Sequence, residues 1–347
     1  MRAAVYHGPM DIQIEDLPEP DPGPGEVKIK VAHNGVCGSD LHEYFSRPTF
    51  TPVDPHPLTG AQIPVVLGHE FAGTIADAGD GVDGFAAGDP VAIRPNYFCG
   101  QCPACKLGLT NICRQLAFHG LSGPGGGLAD YTVVKSDMVH SLGGVAMDLG
   151  ATVEPMAVSL HAVARSDLAP GDTTIIAGAG PIGIGLWFAL QARGITDVIV
   201  SEPGPKRRAA MKALGAPHVI DPRETDLIEL AMEVSAGVGA HTAFDAAGAS
   251  GAIADSVGAL APRGKVVVVG IHESDLAGFN PTSLLLQETE IVGSIIYDDA
   301  DFQAVIAAMD QGLYTTDGWV EHAPLDDLLG VFDALRAGEK TKVVIDL

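Results

Sequence analysis

The chain has 347 residues, with 20 Lys plus Arg against 44 Asp plus Glu, so its formal net charge is −24 at pH 7. This balance argues against a nucleic-acid or anionic-membrane partner, because such surfaces recruit basic proteins. The length suggests two domains, and 46% hydrophobic residues suffice for two packed cores. No apolar run reaches the ~18 residues of a membrane span, and the N-terminus carries no signal-peptide pattern. We therefore expect a cytoplasmic protein.

The first 150 residues carry short β-like runs that Gly and Pro interrupt. Residues 26–31 alternate between polar and apolar side chains, and residues 89–93 do so in part. Several short strands with turn residues between them predict a small β-barrel or sandwich-like domain.

From about residue 150 the pattern changes to strands that alternate with helices. Residues 147–167 predict a helix that ends at the turn 169–172. Most of the apolar strands that follow are separated by helical segments, which predicts a parallel doubly wound sheet and an α/β fold. The predicted strands are 173–177, 197–200, 218–220, 242–244, 265–269 and 290–292.

The C-terminal tail returns to a mixed pattern. It predicts two helices, 301–311 and 325–336, and a last strand, 342–345. We expect this tail to pack on the first domain.

A Gly-rich turn, Gly178-Ala-Gly180-Pro-Ile-Gly183, stands between a predicted strand and a predicted helix. The first Gly allows the tight turn, the second lets a pyrophosphate approach the backbone, and the third lets the helix pack on the strand. The helix N-terminus adds N–H donors for the phosphates. Glu202 lies 19 residues beyond Gly183, at the end of the next strand. This spacing is typical of a Rossmann dinucleotide site.

The carboxylate of Glu202 favours NAD over NADP. It can accept hydrogen bonds from the adenosine ribose 2′-hydroxyl, whereas a 2′-phosphate would meet a like charge. Arg207 and Arg208 follow closely in the sequence. They could be recruited to a phosphate, or they could lie on a solvated helix face.

Four of the five cysteines are bunched, with the spacing C-x2-C-x2-C-x7-C. Four thiolates suit a closed tetrahedral zinc site in a lobe of about residues 95–115. An iron–sulfur cluster is the competing interpretation, since ferredoxins also use C-x2-C-x2-C. Here the last spacing is longer than x3 and no Pro follows the fourth cysteine, which favours zinc. The four residues are Cys99, Cys102, Cys105 and Cys113.

A second candidate metal site combines residues that are far apart in the sequence: Cys37, His69 and Glu154. One Cys, one His and one carboxylate with a free fourth position is the composition of a catalytic zinc site. Each residue also has an ordinary structural alternative: a small core residue, a hydrogen-bonded histidine and an acid at a helix start.

Together these motifs resemble the zinc-dependent medium-chain alcohol dehydrogenases, and within them the polyol and 2,3-butanediol dehydrogenase branch. The resemblance covers essentially the whole chain. It implies a GroES-like catalytic domain of β-barrel type, residues 1–152 and 296–347, with a Rossmann domain inserted at 153–295. The motifs that carry it are residues 37–44, 56–60, 68–70, the four-cysteine lobe, 120–127, 153–155 and 178–183.

The resemblance implies Cys37, His69 and Glu154 as the ligands of a catalytic zinc. Glu70 has two possible roles in this family, as a direct metal ligand in some states and as a neighbour of the metal in others. We therefore include both Glu70 and Glu154 as candidates.

Ser39 and His42 match the proton relay of the family. The substrate hydroxyl would give its proton to Ser39, which would pass it through the nicotinamide ribose to His42 and then to solvent. Histidine suits the last step because it titrates near neutral pH.

Further NAD contacts follow from the resemblance alone. The pyrophosphate and adenosine would lie near Pro181, Ile182, Glu202 and Arg207, and the nicotinamide near Ala247, Val269, Ser294 and Ile296. Lys342 matches a position where relatives have a basic residue near the phosphates.

The resemblance implies an NAD- and zinc-dependent dehydrogenase of a small vicinal diol and its α-hydroxyketone, above all (R,R)-2,3-butanediol and acetoin. A sorbitol, xylitol or L-threonine dehydrogenase is the alternative within this class. A non-catalytic NAD-binding protein would show erosion of the zinc ligands or the relay, and none is eroded. We also expect a homodimer or homotetramer, in which the apolar strand edge at 291–296 pairs across a two-fold axis.

Overall fold

The computed structural model describes residues 1–249, 251–272, 275 and 280–347. The chain divides into two compact units. We name Met1–Glu154 with Asp298–Leu347 the terminal unit, and Pro155–Tyr297 the inserted unit. Each boundary lies two residues after the predicted one.

Strands dominate the N-terminal part of the chain. The strands are β1 (Arg2–Gly8), β2 (Asp11–Asp16), β3 (Glu26–Gly35), β4 (Val65–Val66), β5 (Glu70–Ala78), β6 (Pro90–Ile93), β7 (Asn96–Tyr97), β8 (Ala117–Phe118), β9 (Tyr131–Lys135) and β10 (Val139–Ser141). The helices are α1 (Gly38–Phe45), α2 (Pro103–Lys106) and α3 (Met147–Gly150), with 3-10 turns at Thr110–Ile112 and Ser136–Met138.

Helices and strands alternate through the middle of the chain. They are α4 (Val153–Ala164), β11 (Thr174–Ala177), α5 (Pro181–Ala192), β12 (Val198–Ser201), α6 (Pro205–Ala213), β13 (His218–Ile220), α7 (Leu227–Val234), β14 (Ala240–Asp245), α8 (Ala252–Gly258), β15 (Leu260–Val268), α9 (Thr282–Gln287) and β16 (Glu290–Gly293). The C-terminal part adds α10 (Asp299–Asp310), β17 (Val320–Pro324), a 3-10 turn at Leu325–Asp327, α11 (Leu328–Arg336) and β18 (Lys342–Asp346). Within the described ranges, no helix has both the length and the apolar character to cross a membrane.

The terminal unit is built on a seven-stranded sheet in the order β10-β6-β5-β3-β18-β17, with β9 also paired to β3. The alternating sequence of β3 explains its central place, because Val27, Ile29 and Val31 are buried in one apolar cluster. The C-terminal strand β18 pairs with β3 near the end that leads into α1. Both ends of the chain therefore contribute to this sheet.

The inserted unit contains one parallel sheet of six strands in the order β13-β12-β11-β14-β15-β16. All six predicted strands are present, and β14 and β15 are longer than predicted. In this order β11 lies between β12 and β14, so the connections diverge at β11, as they do in a Rossmann fold. The predicted α/β class and the parallel doubly wound sheet are confirmed.

The single helix predicted over 147–167 is wrong, because the structure has two helices, α3 and α4, instead. Thr152 returns both its backbone N–H and its hydroxyl to the carbonyl of Leu149, which closes the first helix. Pro155 lies in the first turn of α4, where its missing N–H costs no helical hydrogen bond. The apolar pattern continues through the break, which is why periodicity alone did not reveal it.

Candidate active site and metal centres

The four clustered cysteines converge on one point of the terminal unit. All five cysteines of the chain are free thiols, and one sulfur from each of the four lies within 4.8 Å of the others. The separations are 3.5 Å for Cys99 and Cys113, 3.6 Å for Cys102 and Cys105, and 4.0 Å for Cys102 and Cys113. Zinc–sulfur bonds of about 2.3 Å place tetrahedral thiolates about 3.8 Å apart. The lobe therefore fits a zinc ion closed by protein ligands.

The backbone around this lobe favours anionic sulfur. Backbone N–H groups of Arg114 and Cys105 lower the pKa of Cys102 to about 6. Burial and the neighbouring Cys102 raise the pKa of Cys105 to about 12. A bound dication would favour the thiolate form of all four sulfurs.

A second group of ligand atoms is formed by Cys37, His69 and Glu70, which lie within 4.8 Å of one another. Strand pairing explains how they meet, since Gly35 at the end of β3 is opposite Glu70 at the start of β5. Cys37 follows Gly35 and caps the N-terminus of α1. Gly68 has φ +98°, and a Cβ there would collide with the backbone N of Leu128. This glycine therefore permits the turn that presents His69.

A hydroxyl and a carboxylate lie on either side of the buried imidazole of His69. Its Nε2 lies 3.1 Å from the hydroxyl of Ser39, and its Nδ1 lies 3.5 Å from the carboxylate of Asp40. Burial alone would lower the pKa of His69, but Asp40 and Cys37 raise it well above its usual value. Asp40 also accepts a hydrogen bond from the backbone N–H of Cys37 at 2.9 Å. Asp40 thus orients two of the candidate ligands, and the same negative field favours a cation at Nε2.

Glu70 has a second partner that the sequence did not reveal. The ammonium of Lys342, 1% exposed, pairs with the Glu70 carboxylate and donates to the carbonyl of Val36 at 2.9 Å. Burial would lower the pKa of Lys342, but Glu70, Cys37 and Asp40 raise it, so this lysine remains an ammonium. The prediction that Lys342 lies near the cofactor phosphates stays a prediction. Two of the three donors of its ammonium are used by Glu70 and by the carbonyl of Val36.

Glu154, the other predicted ligand, lies in the first turn of α4 and is 6% exposed. Among the residues that the structure describes, the group that includes Cys37 and His69 contains Glu70 and not Glu154. Its role as a ligand stays a prediction.

The two predicted relay residues share helix α1. Ser39 and His42 are three positions apart, so they lie on the same helix face. Ser39 is beside His69, as described above, and the Nε2 of His42 lies 2.8 Å from the carbonyl of Pro48. The ring of Phe50 packs against His42 at a centroid distance of 5.0 Å. Helix α1 therefore places Ser39, the candidate proton acceptor, beside the metal group, and His42, which is half-buried, one turn away.

The Gly-rich turn of the inserted unit has the geometry that its sequence predicts. Gly178 has φ +98°, and a Cβ on Gly183 would collide with the carbonyl of Gly178. Gly180 caps the N-terminus of α5, and no atom lies within 4 Å of the place where its Cβ would be. Pro181 and Ile182 form the first turn of this twelve-residue helix. The open space at a helix N-terminus suits a pyrophosphate.

Glu202 is 3% exposed and bridges two loops. It accepts hydrogen bonds from the backbone N–H of Ala179 at 2.7 Å and of Gly204 at 2.6 Å. Arg207 follows in α6, and its buried Nε has no hydrogen-bond partner among the described residues. Arg208 instead pairs with Asp221 at 3.0 Å. The buried Nε of Arg207 is thus a donor available to a ligand.

The predicted nicotinamide contacts all follow the carboxyl ends of strands β14, β15 and β16. Ala247 follows β14, Val269 follows β15, and Ser294 and Ile296 follow β16. The buried hydroxyl of Ser294 has no hydrogen-bond partner within the described part of the chain. Ligands of doubly wound sheets bind at these strand ends.

Asp245 is a residue that sequence reasoning missed. It ends β14, is fully buried, and accepts the backbone N–H groups of Ala247 and Gly248 at 3.2 and 3.1 Å. Its other oxygen lies 2.6 Å from His272. An acidic residue at the end of a predicted strand was the available signal.

These features define a dehydrogenase with two zinc-type centres and a dinucleotide-binding sheet. Residues 23–144 match the family described as alcohol dehydrogenase GroES-like domain, and residues 181–311 match the zinc-binding dehydrogenase family. The chain is 37% identical to the (R,R)-butanediol dehydrogenase of Bacillus subtilis, with 99% of each chain covered. It is 36% identical to a sorbitol dehydrogenase of the same organism, over 86% of this chain and 82% of the relative.

A solved structure supports the same relationship. The crystal structure of the 2R,3R-butanediol dehydrogenase from B. subtilis matches with a TM-score of 0.93 and 37% identity, covering 100% of this chain and 99% of that chain. The chain belongs to the zinc-dependent alcohol dehydrogenase family. It is an alcohol dehydrogenase that acts on CH–OH donors, and its cofactors are zinc and NAD.

Proposed function

We propose that the protein interconverts a small vicinal diol and its α-hydroxyketone, (R,R)-2,3-butanediol and acetoin, with NAD as the hydride acceptor. The observation that carries this proposal is the Cys37, His69 and Glu70 group in a chain that is similar over its whole length to a butanediol dehydrogenase.

Cys37, His69 and one carboxylate, Glu70 or Glu154, would hold the catalytic zinc. When bound, zinc supplies Lewis-acid stabilisation of the substrate oxygen. Ser39 accepts the hydroxyl proton, which its position 3.1 Å from His69 supports. His42 then releases a proton to solvent, because its imidazole is only half-buried and histidine is the side chain best suited to exchange protons with water.

Preference for NAD follows from Glu202. Its two oxygens are held by backbone N–H groups of Ala179 and Gly204, so the carboxylate is fixed at the end of β12. A 2′-phosphate at this place would face that charge. We expect kcat/KM to be at least ~100-fold higher with NAD than with NADP. Equal values would contradict this assignment.

The test of the catalytic site is Cys37→Ser. We expect turnover of butanediol to fall by more than about a thousandfold, because a metal ligand is lost. NAD affinity and Tm should change little, since Cys37 belongs to the terminal unit and is not part of the Gly-rich turn. A fully active variant that lacks catalytic zinc would contradict the proposal.

His42→Gln tests the proton path, and His7→Gln is its matched control. His7 is a partly exposed histidine that pairs with Glu15 at 2.6 Å. We expect the His42 variant to lose about a hundredfold in kcat and the His7 variant to retain its activity. Equal activity of both variants would remove His42 from the mechanism.

A polyol dehydrogenase is the second candidate, because a sorbitol dehydrogenase is 36% identical to this chain. Rates with butanediol, sorbitol, xylitol and L-threonine, each with NAD, distinguish the candidates. Butanediol should give the highest kcat/KM, and a higher value for sorbitol would favour the alternative.

We also propose a cytoplasmic homodimer or homotetramer. All five thiols are free and have metal-binding places, which suits a reducing compartment. β16 ends the described parallel sheet, and Leu285, Leu286 and Ile295 nearby are 75, 77 and 55% exposed. Such an edge can pair across a two-fold axis. Light scattering should give a dimer or tetramer, and Ile291→Lys should shift it towards a monomer.

A further inference from the structure

Three side chains of the terminal unit meet on one face of its large sheet, outside both cysteine-containing groups. His33 lies on β3, Asp346 on β18 and His322 on β17, and these strands are neighbours. His33 is directly opposite Asp346, whereas His322 is opposite Val344, two positions before Asp346. Because residues i and i+2 of a strand point to the same face, the register itself brings the three together.

Both imidazoles present the same nitrogen to the same oxygen. The Oδ1 of Asp346 lies 2.9 Å from the Nδ1 of His33 and 2.8 Å from the Nδ1 of His322. The two rings are nearly perpendicular, at 80°, with centroids 5.5 Å apart. Tetrahedral ligands of zinc at 2.0–2.1 Å lie about 3.3 Å apart. Both nitrogen–oxygen separations are within about half an ångström of that value, and all three ligand atoms lie within 4.8 Å of one another.

A further carboxylate lies near one of the histidines. The Nε2 of His322 lies 3.9 Å from the Oδ2 of Asp148 on α3, and Asp148 also accepts a hydrogen bond from Thr316 at 3.4 Å. A histidine that binds a metal through one nitrogen usually holds the other against a carboxylate or a carbonyl, which fixes the ring and raises its basicity. At 3.9 Å the contact at His322 is an ion pair and not a hydrogen bond, so Asp148 favours positive charge there without fixing the ring.

An ordinary histidine–carboxylate pair in the same unit shows the difference. His7 on β1 pairs with Glu15 on β2 at 2.6 Å. Within the described residues, that pair is not part of any group of three ligand atoms that could hold a metal, whereas His33, His322 and Asp346 are. The convergence of two imidazoles on one carboxylate is thus more than a cross-strand ion pair.

The group is open to solvent on one side. The side chains of His33, His322 and Asp346 are 24, 40 and 48% exposed. An ion can therefore enter, and water can complete its coordination. The net charge of −24 raises the local concentration of cations around the protein.

We propose that His33, His322 and Asp346 form a third metal site, which takes a divalent first-row transition ion, Zn²⁺, Ni²⁺ or Cu²⁺. Two imidazoles and one carboxylate suit these ions, whereas Mg²⁺ and Ca²⁺ prefer oxygen ligands. The ion joins β17 and β18 to β3, and so fastens the C-terminal segment to the N-terminal strands. It does not depend on the proposed substrate.

Zinc titration of the holoenzyme tests this site, with calorimetry for affinity and elemental analysis for stoichiometry. We expect a third zinc equivalent beyond the catalytic and structural ions. His322→Gln and Asp346→Asn should weaken this equivalent at least tenfold, and Asp148→Asn should weaken it about tenfold while the stoichiometry stays the same. His7→Gln should bind as the parent protein does. Only two equivalents in the parent, or a third that His322→Gln leaves unchanged, would overturn the proposal.

A spectroscopic measurement is independent of affinity. Cu²⁺ is added to enzyme that holds only the catalytic and structural zinc ions, with the third site empty. Its electron paramagnetic resonance spectrum should show coupling to two imidazole nitrogens, and to one in His322→Gln. Absence of nitrogen coupling in the parent would also overturn the site. All variants should keep full butanediol turnover and an unchanged fold, because the altered side chains are exposed and outside the catalytic group.

Discussion

The two cysteine-containing groups of the terminal unit solve different problems. The lobe takes all four ligands from one short run, Cys99 to Cys113, around a single turn of helix and a 3-10 turn. The other group takes Cys37 from the start of α1 and His69 and Glu70 from the start of β5. Four sulfurs saturate a tetrahedral ion, whereas three protein atoms leave a position free. Only the second group can therefore admit a substrate.

The two groups also differ in the neighbours that contact their ligands. Backbone N–H groups are the leading cause that lowers the pKa of Cys99 and Cys102 in the lobe. Charged or hydroxyl side chains surround the second group, namely Asp40, Ser39 and Lys342. In the lobe, backbone N–H donors stabilise the thiolates that would bind the ion. In the second group, the neighbouring side chains can exchange protons and partners. The difference separates a structural centre from a reactive one.

The largest expected effect on stability comes from removing one ligand of the four-cysteine lobe. Cys102→Ser should release the structural zinc and lower the free energy of unfolding by more than about 4 kcal/mol, with a Tm lower by roughly 10 °C. Calorimetry and metal content measure these changes. Turnover per catalytic zinc, measured below the new Tm, should stay within about twofold. An unchanged Tm would show that the lobe does not contribute to folding.

The next effect concerns the buried pair beside the open group. Lys342→Met leaves the carboxylate of Glu70 buried without its counter-charge, which should cost about 3–5 kcal/mol. Lys342→Arg keeps the charge and should cost less. Urea unfolding of both variants measures the difference. If Lys342→Met were as stable as the parent, the pair would not hold this part of the sheet together.

The contrast between the two groups also explains what could be predicted from the sequence. The lobe was predictable because its ligands are local, and the Gly-rich turn because each glycine has a separate steric reason. The pairing of Glu70 with Lys342 was not, because it joins residues 272 positions apart through the contact of β18 with β3. A motif match assigned that lysine to the phosphates, but its burial is a property of the whole sheet.

The smallest expected effect is a pH dependence of stability, which a comparison of the buried histidines His69 and His119 reveals. Asp40 and Cys37 oppose the effect of burial on His69, whose pKa is raised. His119 lies between the hydroxyls of Tyr97 at 3.0 Å and Thr132 at 2.7 Å, and burial lowers its pKa to about 3. The unfolded chain therefore binds a proton near pH 6.5 that the folded chain does not bind. His119 thus contributes full stability above about pH 6.5 and loses up to ~1.4 kcal/mol per pH unit as the pH falls towards 3.

His119→Gln tests this sign. The parent is expected to be more stable than the variant at pH 7, and its advantage should shrink by about 2 kcal/mol between pH 6.5 and pH 5. Urea unfolding at several pH values measures the advantage. A constant difference would mean that His119 does not titrate on unfolding.

Stepwise chelation tests the difference between the two centres most directly. The His322→Gln variant is used, so that the proposed third site does not retain zinc. The open group has three protein ligands, so its zinc should leave before that of the lobe, and butanediol oxidation should fall in proportion to the loss of the first zinc equivalent. The Tm should fall sharply only when the second equivalent leaves the lobe. Activity that persists after the first equivalent is lost, or that disappears only together with the fold, would contradict a catalytic zinc at Cys37, His69 and Glu70.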